Sequence, residues 1–176
     1  MNPHQAQAIS EFLLGTLETE IPTTLAVFRA VPVDKLDYRP DPVSKTALGL
    51  VRHITLEDEW ILNAVADGVF TPVPDDTDGC GLMLPADAVA QYQDRIPAAM
   101  ARVRALSGEA LLKEVDLLGA FQMPAVQFLS MMLRHSAHHR GQLTAYLRAM
   151  GGKVPSIYGP SADTMMATAG VDPVTA

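Results

Sequence analysis

Residues 124–150 read PAVQFLSMMLRHSAHHRGQLTAYLRAM, and the fold follows from their spacing. Phe128, Met131, Met132, His135, His139, Leu143, Tyr146 and Leu147 recur every three or four positions, which places them on one stripe of a long α-helix. Pro124 suits the start of that helix, and the Gly151-Gly152 pair suits its end. A stripe this wide belongs on the inward face of a bundle, yet two histidines interrupt it.

Moving outward, the same period recurs three times. From Thr46 to Asp67 one face carries Leu50, His53, Ile54, Glu57, Trp60, Ile61 and Ala64, with Gly68 as terminator. A third pattern starts at Pro85 and runs through Val89, Tyr92, Ile96, Ala99, Val103 and Leu106. The first, over residues 5–28, places Ile9, Phe12, Leu13, Leu17, Ile21, Leu25 and Phe28 on the buried face. Pro22 and Pro97 each remove a backbone donor, which predicts a kink or local break.

The connections are legible by composition. VPVDKLDYRPDPVSK, residues 31–45, holds three prolines that resist helix. TPVPDDTDGCG, residues 71–81, reads as a solvated turn. Asp75, Asp76 and Asp78 do not fit a calcium loop, because position twelve from Asp75 is Ala86 instead of a bidentate glutamate. Residues 109–123 are mixed, with a helical turn around Leu111 and a short extended piece over Val115 to Leu118. Four long helical patterns without strand alternation predict an all-α fold, a four-helix bundle.

The chain of 176 residues is one domain, read as a bundle over 1–163 and a C-terminal tail over 164–176. Thirteen basic against twenty acidic residues leave a net charge of −7, which disfavours nucleic acid and anionic membrane surfaces as partners. No stretch approaches the ~18 apolar residues of a membrane span, and the first residues lack a secretory pattern. Cys80 is the single cysteine, so no intramolecular disulfide can form, as in a reducing cytoplasm. The expectation is a cytoplasmic protein, with Cys80 an incidental thiol.

Chemistry concentrates in the histidines. His135 and His139, four residues apart, bring two imidazoles to one helix face, close enough to grip one ion. Five histidines produce that spacing by chance in roughly one sequence in nine, so orientation carries the argument: both interrupt an apolar stripe. His53 interrupts the buried face of the second helix in the same way. Three inward histidines from two helices make a His₃ site for zinc, nickel, iron or copper, with a position left open for water or substrate. The alternative is that each is a packed histidine bonded to a backbone carbonyl.

Glu57, one turn after His53, is the candidate catalytic residue, able to orient a ligand, bind the ion or act as acid or base; a plain surface carboxylate is the other reading. His138 is rotated about 100° from His139 and reads as a surface or supporting residue, and His4 as exposed. Arg140 and Arg148 read as salt-bridge partners in preference to binders of a substrate carboxylate. A di-iron bundle would need two Glu-x-x-His motifs, which are not present.

At these residues the chain resembles the DinB/YfiT superfamily. The matching pieces are Leu36-Asp-Tyr-Arg-Pro40, Leu50-Val-Arg-His-Ile54 with Glu57 and Trp60, and His135-Ser-Ala-His-His-Arg-Gly-Gln-Leu143. Tyr146-Leu-Arg148 and Val154-Pro-Ser-Ile-Tyr-Gly-Pro-Ser-Ala-Asp163 continue the match. The resemblance implies a four-helix bundle connected up-down-down-up, and frequent homodimers. It also implies one divalent metal ion, with zinc first and nickel or iron as alternatives, on His53, His135 and His139. It further implies a transferase in which the metal activates a small-molecule thiol for attack on an electrophile, expected to enter near Trp60 and Tyr146. A metal-hydroxide hydrolase and a non-catalytic, stress-related metal- or ligand-binding bundle are the competing expectations.

Overall fold

The computed structural model describes residues 1–170. Four long helices form the bundle: α1 (Pro3–Arg29), α2 (Ala47–Asp67), α3 (Pro85–Arg104) and α5 (Ala125–Ala149). Between α3 and α5 lie the short α4 (Gly108–Leu112) and a hairpin of β1 (Glu114–Asp116) and β2 (Gln122–Pro124); α6 (Ala162–Ala169) follows the bundle. The hairpin pairs Val115 with Met123. The predicted boundary at 163/164 falls inside α6, and residues 171–176 of the expected tail lie outside the described residues.

Helix directions follow from side-chain partners. Arg104 at the end of α3 bonds Glu11 and Glu18 of α1, while Pro97, earlier in α3, faces Pro22, later in α1, so these helices are antiparallel. Arg52 in α2 reaches the Leu82 carbonyl just before α3, and Arg102 pairs with Asp67 at the far end, so α2 and α3 are parallel. His53 meets His139 while Trp60 shares a cavity with Met131, so α2 and α5 are antiparallel. The order is up-down-down-up, with α1 and α5 running one way.

Local chemistry sets the ends. Asn2 and Gln5 form a reciprocal cap at the start of α1. Thr46 caps α2 through its hydroxyl, and Gly68 closes the helix at φ 71° in the left-handed region. The Leu36–Tyr38 stretch docks that start, its carbonyls accepting from Leu48 and Ala47. Gly108 lets α4 approach α1, since a Cβ there would stand 2.2 Å from the Pro3 carbonyl oxygen.

Two expectations need correction. The first half of α1 is rotated from the predicted stripe: Ala6, Ser10 and Leu14 are buried, whereas Ile9 is 38% and Phe12 73% exposed. Small side chains occupy the contact because α4 lies close over that end. Neither Pro22 nor Pro97 breaks its helix. Each proline removes one backbone bond from a long helix, and the two face each other across the α1–α3 groove.

The core is not wholly apolar. Asp58 is fully buried and accepts a 2.8 Å hydrogen bond from the Tyr92 hydroxyl. Arg140, 2% exposed, pairs with Glu20 and donates to Thr24 Oγ1 at 3.0 Å and Tyr158 at 2.8 Å. Arg148 makes a two-pronged pair with Asp163, which also accepts the Val154 N–H. Both arginines are therefore structural. Among the described residues no helix is long and apolar enough to cross a membrane.

Candidate metal centre

The periodic faces of α2 and α5 each divide into two sides. Leu50, Ile54 and Ile61 of α2 and Phe128, Met132 and Leu143 of α5 are sealed in the core. His53, Glu57 and Trp60 of α2 and Met131, His135 and His139 of α5 are half-buried and line a cleft between the helices. The stripe predicted as uniformly inward is thus core along one edge and site along the other.

His53, His135 and His139 converge, one ring nitrogen of each lying within 4.8 Å of the others. Ring centroids are 4.5 to 5.0 Å apart. Nδ1 of His53 lies 3.0 Å from Asp76 Oδ2, and Nδ1 of His139 lies 3.1 Å from Gln142 Oε1. An N–H at each Nδ1 donates to these oxygens, which puts the lone pair of each of these two rings on Nε2. Nε2 of His135 and of His139 are 3.1 Å apart. Tetrahedral zinc with bonds of about 2.0 to 2.1 Å sets neighbouring nitrogens about 3.3 Å apart, close to the His135–His139 spacing.

Electrostatics agree with ligation. Burial and the neighbouring rings hold all three imidazoles below the usual histidine range, His135 down to about 4. They are neutral at pH 7, the form that binds a metal. Burial and the Asp76 charge push the Glu57 carboxyl up, and its Oε1 lies 3.9 Å from His53 Nδ1. The three imidazoles could hold a metal ion.

The loop read as a solvated turn covers this cleft. Asp76 binds His53 and Lys45, Asp78 binds Arg52, and the Trp60 indole donates to Thr71. Asp76 and Gln142 are the supporting residues that spacing did not reveal. His138 and His4 are exposed, as expected. Trp60 lines a cavity of about 380 Å³ with Glu57, Met131 and His135, but Tyr146 does not: it is buried edge-on against Tyr38.

The DinB family model matches residues 13–170. The chain belongs to the DinB family. It is 28% identical over 120 residues to the uncharacterized protein YjoA of Bacillus subtilis strain 168, covering 67% of this chain and 75% of YjoA. A shorter stretch of 51 residues is 41% identical to the uncharacterized protein YrdA of the same organism, covering 29% of this chain and 30% of YrdA. The solved structure of the DinB-like protein YjoA aligns with a TM-score of 0.65 at 20% identity, over 84% of this chain and 97% of YjoA. A DinB-like protein from Bacillus cereus ATCC 10987 aligns with a TM-score of 0.68 at 23% identity, with the same coverage. At these identities the two structures establish the shared DinB fold.

Proposed function

We propose that His53, His135 and His139 hold one divalent metal ion, zinc in first place with nickel or iron as alternatives. In this reading the protein is a transferase that directs a low-molecular-weight thiol onto an electrophilic small molecule. One observation carries the reading: a three-imidazole cluster opens onto an apolar cavity that His135 also lines. A bound ion would supply thiol activation, lowering the thiol pKa so that thiolate is available at neutral pH.

The protein's own groups support that chemistry. Asp76 and Gln142 fix the ring orientations of His53 and His139. Lys45, paired with Asp76, brings a positive charge to the same edge and suits an anionic end of a thiol. The apolar wall beside Trp60 keeps water from an electrophile seated there. Glu57 supports a second reading, hydrolysis, because a half-buried carboxyl with a raised pKa is suited to take a proton from water.

Elemental analysis of untagged protein tests the metal, beside the double variant His135→Ala, His139→Ala. About one equivalent in the native protein and almost none in the variant is expected. Metal in neither, after reconstitution, overturns the reading. Conjugation that requires both metal and thiol selects the transferase, and turnover without thiol selects the hydrolase.

A further inference from the structure

The turn of the β hairpin carries the wrong residue for its geometry. Leu117 N–H donates to the Phe121 carbonyl, and Ala120 N–H donates to the Leu117 carbonyl, both at 2.9 Å. The two central residues, Leu118 and Gly119, have φ 51° and 80°. Two positive φ values at the centre of the four-residue turn from Leu117 to Ala120 are those of a primed turn, whose first central position favours Asn, Asp or Gly. Gly119 suits its place, but Leu118 holds a Cβ in the left-handed region and leaves its side chain 52% exposed. Neither turn geometry nor core packing accounts for a leucine there.

Its position does. Leu118 forms part of the rim of the 380 Å³ cavity, with Val73 and Ala120 beside it and Trp60 and Met131 within. Glu57 and His135 are the polar lining, and no lysine or arginine lines it. The volume falls inside the range of roughly 300 to 1,000 Å³ for small-molecule sites. Such a wall rejects an anionic group, which would lose its water and meet no lysine or arginine in the lining.

We propose that this cavity takes the uncharged, apolar end of the substrate and that Leu118 is a specificity-determining residue closing over it. The inference rests on the reading of the histidine cluster as the reacting end, and it names the class of the electrophile: a neutral molecule with a compact apolar or aromatic body. The strained turn keeps an apolar side chain at the rim, where a small or polar turn residue would leave the cavity open to water.

Trp60 is the single tryptophan and lines the cavity, so its fluorescence reports occupancy directly. The probes are 4-phenylbutan-2-one and the same ketone bearing a para-carboxylate, titrated into metal-free and metal-loaded protein. The neutral ketone should change Trp60 emission saturably, and the carboxylate should bind at least about tenfold more weakly. Leu118→Gly should weaken the ketone several-fold without lowering the thermal midpoint, because glycine relaxes the turn. Ala120→Phe, which fills the rim, should abolish the response.

Equal affinity for the two probes overturns the proposal, as does unchanged ketone binding in Leu118→Gly. A lower midpoint in that variant would make Leu118 a residue of hairpin stability and also overturns its assignment. Ketone binding by a protein that takes up no metal would sink the metal reading and leave the cavity assignment standing. Metal uptake with no ketone response does the reverse.

Discussion

At the scale of single residues, the candidate site depends on the groups that orient the histidines as much as on the histidines themselves. Asp76 fixes the His53 ring, so Asp76→Ala should lower zinc affinity about 10- to 100-fold while the metal-free protein keeps its thermal midpoint. Calorimetric titration with zinc checks this, and an unchanged affinity would remove Asp76 from the site. Asp58 sets a pH dependence of opposite sign to that of the histidines. Burial raises its carboxyl to about 7, so the folded chain binds a proton that the unfolded chain has released. That stability is complete below the unfolded carboxyl range and is lost as pH rises through about 7. The histidines, held low, contribute stability above their ordinary range that is lost as pH falls toward the His135 value of about 4. Between pH ~4 and ~8, Asp58→Asn should gain on the wild type by on the order of 4 kcal/mol in urea unfolding of the metal-free protein. Parallel stability curves would show that Asp58 is charged in the native core.

The histidine cluster was legible because spacing along a helix fixes direction, and His135 with His139 can only share a face. Asp76, Gln142 and Asp58 were not. Asp76 reaches His53 across 23 positions through a loop whose path no periodicity encodes. Asp58 adjoins Glu57 in sequence, yet burial separates them: one is sealed beside Tyr92 and the other faces the cleft.

At the scale of elements, α2 and α5 were readable nearly to the residue because Gly68 and the Gly151 pair punctuate strong apolar periods. The phase of early α1 was not, since Ile9 and Phe12 outweigh Ala6 and Ser10 in any hydrophobic pattern. Where helices approach closely, small side chains make the contact and large ones are displaced outward. Gly68 tests the terminator: a Cβ at φ 71° is strained, so Gly68→Ala should cost about 1 kcal/mol. A midpoint lower by about 2–4 °C is the expected calorimetric result. No change would mean that the end of α2 relaxes without loss.

At the scale of the molecule, two of the cross-braces between helices differ in kind. One is polar and permanent: Arg140 of α5 grips Glu20 and Thr24 of α1 inside the core. Arg140→Ala leaves Glu20 without its charge partner and should destabilise by about 3–5 kcal/mol, measured by denaturant unfolding. A loss within a few tenths of a kcal/mol would show that the pair is solvated. The other brace is conditional, joining α2 to α5 through the three imidazoles. If the cluster takes zinc as proposed, the folded chain binds it in preference to the unfolded one, and loading should raise the thermal midpoint in proportion to the logarithm of free zinc. His135→Ala should abolish that dependence.

Because α2 and α3 are parallel, the chain leaving α2 must travel back along the bundle before α3 can begin, a distance of about 30 Å for helices of this length. The return passes over the cleft and is pinned there by Lys45, Arg52 and Trp60, all of which belong to or adjoin α2. Roof and wall are therefore tied to one beam: the strip from Thr71 to Leu82 is fastened to the helix that carries His53 and Trp60, so any shift of α2 along the bundle moves the cover together with the chamber beneath it.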